Sequence, residues 1–303
     1  MLRNLLLQRH LTHVQAGLYS CFAYLMFSLS DTLAKWFLSE GFERSTIIVG
    51  NSVPALLFLT LLMIKRHGLS RAYYTRYKKL HALRGLTLIG ITYFMFNAVK
   101  LLPLTDFYGV VFSTPFIVTI SAFFMFKEKV SITEWIVILI GFIGVLIVIQ
   151  PDYDHFNFGY LYAFGAVLCV ALSTMVVRKI GRDEDPYLFV IFGSIGLIAA
   201  NIIPAIQAPL PETVTTTHIA AMAFYGLTIP TAVLTLSAVF ARAPSIASIA
   251  PFQYSQIIWG TLFGYLIFQD IPEVNTIIGS AIIIACGLYI LFYHQRKSRK
   301  ELV

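Results

Sequence analysis

Charge is what this sequence has least of: 12% of its residues are charged and 58% are hydrophobic, against about 25% and about 45–50% in soluble domains. That shortage excludes a soluble globular chain, which could not hide so much apolar surface. Missing too are the ~10-residue segments of alternating hydrophobicity that build a transmembrane β-barrel. Cysteine is scarce, and Cys21, Cys169 and Cys286 all lie inside apolar runs as small buried residues; they form neither a disulfide framework nor a metal-ligand spacing. The histidines, His10, His13, His67, His81, His155, His218 and His294, fall in connections or at the ends of apolar runs. No metal cage or histidine relay can then be placed in the middle of a membrane, which argues against metal transport and intramembrane hydrolysis. A GxxxxGK[ST] phosphate loop is also missing, so ATP is not hydrolysed through that motif. No cofactor is expected.

What is present is a succession of apolar runs near the ~20-residue length that spans a bilayer. They predict an all-α membrane protein with ten transmembrane helices near 14–38, 44–64, 82–101, 104–126, 132–150, 158–178, 187–206, 218–240, 245–268 and 274–293. Their breaks have physical causes: Pro103 and Pro244 stand at tight connections, and "GRDEDP" is a charged turn. The N-terminal "MLRNLLLQRHLTHVQ" has no separate apolar core ending at a cleavage site, so the first span is expected to be retained. Every Lys and Arg except Lys35, Arg44 and Lys100 falls on one side of this arrangement. The positive-inside rule then places both termini in the cytoplasm, with the chain in the inner membrane. The net charge of +7 is accordingly read as orientation, not as affinity for nucleic acid. The loop "KRHGLSRAYYTRYKKLHALR" is read as lying on the membrane surface, where it could also meet acidic headgroups.

The chain repeats itself. "LPLTDFYGVVFSTPFIVTISAFFMFKEKVS", from Leu102, lies over "PSIASIAPFQYSQIIWGTLFGYLIFQDIP", from Pro244, so that Phe126 meets Phe268 and Glu128 meets Asp270. Residues 1–151 and 152–303 thereby form two five-helix repeats of one membrane domain. An odd number of spans per half turns the second copy upside down, the inverted plan of many secondary transporters.

At this point the residues resemble a family. Residues 83–151 are similar to the ten-helix drug/metabolite transporter (DMT) superfamily in its EamA-type branch: Arg84 enters span three, Leu102-Pro103 precedes span four, Pro115 lies within it, Glu128 follows it, and "GFIGV" sits in span five. Pro251, Phe268, Asp270 and Gly287 echo them in the second half. The resemblance implies two five-helix repeats around a central cavity lined mainly by spans one, three, four, six, eight and nine, with alternating access. "SDTLAKW" and "APFQYSQ" further resemble the bacterial S-adenosylmethionine carriers and their relatives. Gln253 and Gln256 stand as neutral amides where those carriers place charge, so a neutral or zwitterionic solute fits as well as a cationic one.

Polar residues inside the spans mark the candidate site. Asp31 and Lys35 share one helix face and can pair. Each costs about 2.5–3.5 kcal/mol at a membrane centre, so both must face protein or water. Asp31 is expected to bind a substrate amine or a coupling proton; its structural alternative is a static clamp between helices. In span nine, Gln253, Tyr254 and Gln256 are read as substrate contacts, Gly260 and Gly264 as small residues for helix packing. Tyr93 and Asn97 in span three, Tyr108 and Thr114 in span four, and Trp259, which could stack on a flat ring, complete the substrate set. Lys35 and Asp106 join Asp31 as coupling or gating residues.

The function expected is a secondary transporter moving a small polar or amphipathic organic metabolite, amino-acid-like, nucleoside-like or S-adenosylmethionine-like, by alternating access. Its partners are that solute, the lipid bilayer, and a coupling proton or counter-substrate. Two other classes stay open: a channel, which needs a continuous wet pore, and a membrane-embedded enzyme, which needs a nucleophile beside a base.

Overall fold

The computed structural model describes residues 11–68, 73–102, 104–149, 157–211, 213–269 and 274–300, and every regular element among them is helical. The chain runs through α1 (His13–Ser39), α2 (Arg44–His67), α3 (Lys78–Leu101), α4 (Leu104–Val111), α5 (Thr114–Phe126) and α6 (Ile132–Ile149). It continues through α7 (Gly159–Ile180), α8 (Pro186–Gln207), α9 (Thr216–Arg242), a 3-10 turn over Ala250–Tyr254, α10 (Ser255–Phe268) and α11 (Val274–Lys300).

Local chemistry sets the ends. Thr12 and Gln15 form a reciprocal capping box at the start of α1, with N–H to oxygen distances of 3.2 and 3.1 Å, which satisfies two otherwise orphaned donors. The Asp185 side chain accepts from the Tyr187 N–H at 3.1 Å, and Pro186 opens α8 where no N–H is needed.

Two expected spans are broken. The fourth divides into α4 and α5 because Pro115 has no N–H to offer the Val111 carbonyl; the Thr114 hydroxyl donates to that carbonyl instead. The ninth becomes helical only at Ala250, where Pro251 sits in the 3-10 turn. Both then end alike: Lys127 (φ 53°) closes α5 and Gln269 (φ 60°) closes α10 in the left-handed region, and these residues are mates in the internal repeat.

By length and composition, five segments are able to cross a membrane among the described residues: Arg44–Lys65, Phe107–Phe126, Gly159–Ile180, Pro186–Gln207 and Thr216–Arg242. The stretches Ile132–Ile147 and Val274–Ile290 are apolar but shorter. Large apolar side chains such as Leu57, Leu61, Phe124, Leu161 and Ile206 cover the outside of the bundle.

Helix pairing follows the repeat. The pair α1·α9 has its counterpart in α7·α3, α1·α10 in α7·α5, and α2·α9 in α8·α3, while α2·α8 and α6·α11 join equivalent helices of the two halves. At α6·α11 the approach is close enough that a Cβ on Gly144 would lie 3.1 Å from the Gly279 carbonyl. The first helices of the halves run in opposite directions. The Leu11 N–H before α1 donates to the Arg242 carbonyl at the end of α9, and Arg178 near the end of α7 donates to Phe240 and Ala243 carbonyls at that same place.

That end of the bundle is shut. A large apolar core joins the start of α1 to the ends of α7 and α9, with Met175, Ile180, Phe189, Val239 and Ile246 all buried. Arg178 Nε donates to Glu128 Oε1 at 2.9 Å, while Glu128 Oε2 accepts the Ile246 N–H at 2.8 Å. One carboxylate from the α5–α6 connection thus ties α7 to the segment between α9 and α10.

Candidate functional site

At the other end the helices part around a cavity of about 940 Å³. Along α1 it is lined by Ser28, Asp31, Thr32, Lys35 and Leu38, spaced so that one helix face supplies them. Across from them α10 contributes Gln256, Gly260, Thr261, Gly264 and Phe268. Arg44 and Asn51 of α2, Thr92 and Met95 of α3, Tyr108 and Phe112 of the α4 segment, Ser194 of α8 and Tyr225 of α9 complete the wall. Leu38, Arg44 and Phe268 are at helix ends, so the cavity runs from the middle of the bundle to its rim.

The depth of the cavity is organised by α1 and α10. Gln256 Nε2 donates to Asp31 Oδ2 at 2.8 Å, and Ser28 Oγ donates to the Gln256 carbonyl at 2.8 Å. An ionised carboxylate only accepts, so it fixes which end of the amide faces it. Asp31 Oδ1 and Gln256 Oε1 are left as acceptors, suited to an N–H or ammonium group of a solute. One turn towards the rim, the Lys35 ammonium lies 4.2 Å from the centre of the Phe268 ring. Acid therefore stands deep and base stands near the mouth, one helical turn apart on α1. Asn51 Nδ2 donates to the Tyr225 carbonyl at 2.6 Å, which holds α2 against α9 about one turn before Pro230.

Of the residues expected to meet a solute, the structure gathers Asp31, Lys35, Tyr108 and Gln256 around this space. The side chain of Asp106 lies outside those described. The others are elsewhere, each for a local reason. Tyr93 and Asn97 share a face of α3, but the cavity takes Thr92 and Met95; the Asn97 amide donates to the Tyr93 carbonyl at 2.8 Å and the Tyr93 ring meets Phe94 and Tyr162. Thr114 is consumed by the carbonyl that Pro115 frees. Gln253 precedes α10 in the 3-10 turn and is not among the residues that line the cavity. Tyr254 is fully buried, its ring on Gly141 of α6 and its hydroxyl donating to the Ile138 carbonyl at 3.3 Å. Trp259 is one residue out of phase with Gln256 and Gly260, and its buried indole N–H has no partner. Of the helices the resemblance implied, α7 supplies no cavity residue, whereas α2 and α8, the second and seventh spans that it did not name, do.

The family model described as the EamA-like transporter family matches the chain twice, over residues 15–150 and 157–293. The chain belongs to the EamA-like transporter family. Its two matches fall on α1–α6 and α7–α11, the same halves that the helix pairing relates. A riboflavin transporter of Vibrio cholerae is 26% identical over 294 residues, covering 95% of this chain and 96% of that protein. An S-adenosylmethionine uptake transporter of Rickettsia bellii is 27% identical over 223 residues, 73% and 75% of the two chains. A riboflavin transporter of Rhizobium johnstonii is 25% identical over 298 residues, 95% and 94%. A protein of known crystal structure superposes with a TM-score of 0.73 over 93% of this chain and 96% of its own, at 16% identity, a likeness of fold alone.

For an EamA-like transporter the sequence signal that mattered was polar residues at helical spacing inside apolar runs. It missed the contribution of Gly260 and Gly264, read as packing residues, and of Asn51 and Ser194, whose small amide and hydroxyl do not stand out in α2 and α8.

Proposed function

We propose that this chain is a secondary carrier that moves a small polar or amphipathic organic metabolite across the inner membrane by alternating access. Ten transmembrane helices, counted as α1, α2, α3, α4–α5, α6, α7, α8, α9, the 3-10 turn with α10, and α11, form two inverted five-helix repeats, residues 1–151 and 152–303. Both termini are cytoplasmic. The observation that carries the reading is a cavity walled by helices of both halves, open at one end and shut at the other by the Glu128–Arg178 pair and its carbonyl contacts. On the orientation that the basic residues give, the open end faces outward. A channel needs a pore wet from end to end, and the packed end opposes it. Asp31 receives a donor group of the solute or a coupling proton, Gln256 orients it, Tyr108 adds a hydroxyl, and Lys35 stands at the outer gate. Relatives that carry riboflavin or S-adenosylmethionine support a solute of that size and mixed polarity.

The test is uptake by proteoliposomes of radiolabelled riboflavin and S-adenosylmethionine. Saturable entry that unlabelled solute inside the vesicle accelerates is expected, because exchange turns the empty step over faster. Asp31→Asn should lower uptake about 10–100-fold, the worth of a charge-assisted hydrogen bond of about 1.5–3 kcal/mol. Non-saturable flux without counterflow would replace the carrier by a channel.

A further inference from the structure

Glycine in the middle of a helix needs a reason, because it forms helix poorly and leaves backbone bare. At Gly141 and Gly226 the reason is contact: a Cβ on Gly141 would lie 2.7 Å from the Tyr254 ring, and one on Gly226 would lie 2.9 Å from Pro54, whereas one on Gly85 of α3, which does not line the cavity, would meet nothing within 4 Å. Gly260 has neither excuse. It is not among the glycines with positive φ, which among the described residues are Gly41 and Gly68. A Cβ built on it meets nothing within 4 Å. What it does border is the cavity, one turn beyond Gln256 and one turn before Gly264, which also lines it.

We propose that the bare face of α10 at Gly260 is the seat of a planar ring in the transported solute, with the ring edge held by the Asp31–Gln256 pair. This rests on the carrier reading and deepens it. Along the i, i+4 row from Gln256 to Phe268, Gly260 and Gly264 carry no side chain, so about 6 Å of helix backbone lies bare beside Thr261. A flat ring system makes full van der Waals contact with such a surface, whereas a bulky aliphatic or hydrated polar group gains nothing from it. The acceptors left on Asp31 and Gln256 lie at the deep end of this strip, where they meet N–H groups on the ring edge. The polar or charged remainder of the solute then extends towards Lys35 and Arg44 at the mouth. Gly260 is on this account the residue that sets the width of the site.

The experiment titrates purified full-length protein with riboflavin and S-adenosylmethionine as ring-bearing probes, and with methionine and putrescine as ring-free ones, following binding calorimetrically and stability by thermal shift. Because nothing contacts the added carbon, Gly260→Ala should melt no lower than the wild type. It should nonetheless weaken the ring-bearing probe that binds by at least threefold, and Gly260→Leu by at least thirtyfold. Any binding of the ring-free probes should stay within twofold in Gly260→Ala. Leu262→Ala, on the exposed side of α10, should change neither. Unaltered ring-probe affinity in Gly260→Leu overturns the proposal, as does equal weakening of both probe classes. Wild-type protein that binds only ring-free probes removes the ring seat and leaves the carrier standing; protein that binds none of the four also removes the seat, while the carrier itself falls only with the counterflow assay.

Discussion

Tyr254 and Gln256 differ by two positions and do opposite work. Gln256 turns to the cavity and meets Asp31, while Tyr254 turns to α6, where Gly141 leaves room for its ring and the Ile138 carbonyl accepts a hydrogen bond from its hydroxyl. If the tyrosine is structural, its two parts should separate on mutation. Tyr254→Phe forfeits one long hydrogen bond and should cost about 1 kcal/mol of stability, leaving solute affinity unchanged. Tyr254→Ala empties a fully buried aromatic site and should cost about 3–5 kcal/mol. Denaturation in detergent with a parallel binding titration separates the two; a Phe variant that folds normally but loses solute would restore Tyr254 to the site. At this scale the sequence was legible where charge is expensive. Asp31 and Lys35 had to face something wet or paired, and they do. It was not legible where a polar residue had a backbone partner close by: Thr114 takes the carbonyl that Pro115 frees, Asn97 one in its own helix, and Tyr254 one on a neighbouring helix. Gly260 was opaque for the reverse reason: a glycine contacting nothing and one packed tightly are the same letter.

The elements tell of the shut end. Where the α7–α8 turn meets the start of α3, Glu184 accepts from Thr75 and lies 3.2 Å from His81 Nε2. Burial alone would raise the Glu184 carboxyl, but the bonds from His81 and Thr75 outweigh it and hold the group below its ordinary value. A carboxyl depressed on folding adds stability that is complete above its ordinary value, 4.5, and is lost as pH falls below it through the folded value. Wild-type protein should therefore lose melting temperature as pH drops from about 5 towards about 3, and Glu184→Gln should flatten that limb while changing little at pH 7 beyond a constant offset. Equal acid slopes in the two proteins would deny the turn this role. The breaks in the fourth and ninth spans fall at Pro115 and Pro251, although the apolar runs alone led both spans to be expected whole. The left-handed residues that end them were not readable, since Lys127 and Gln269 carry no glycine signal. They are legible only once the two halves are laid over one another, when equal position explains equal conformation.

For the whole molecule the repeat was the most informative feature, and the lining by span six that the family resemblance implied is instructive beside it. If exchange of the halves relates α1 to α7 and α3 to α9, a symmetric cavity should be lined by α7 as well as α1. It is not, because exchange also swaps the ends of the bundle: α1 lines the open end while α7 closes the other with Arg178. A sequence repeat fixes the partners of each helix, but not which of two mirrored arrangements the molecule occupies. The Glu128–Arg178 pair, with each side chain 11% exposed, is then a principal hold on the arrangement seen here. Removing one member of a buried pair costs about 3–5 kcal/mol, enough to shift a two-state balance by on the order of 100-fold or more. Ser248, buried between α9 and α10 on this side, gives a place to look. In inside-out vesicles, Ser248→Cys should react slowly with a membrane-impermeant maleimide above the background of the native cysteines. Adding Glu128→Ala should raise that rate at least tenfold. Glu128→Gln, which keeps an acceptor for the Ile246 N–H and loses only the charge, should fall between the two. Faster labelling from right-side-out vesicles alone would reverse the assigned orientation, and an unchanged rate in folded Glu128→Ala would mean that the apolar core, with Met175, Ile180 and Val239, keeps this end closed without the ion pair.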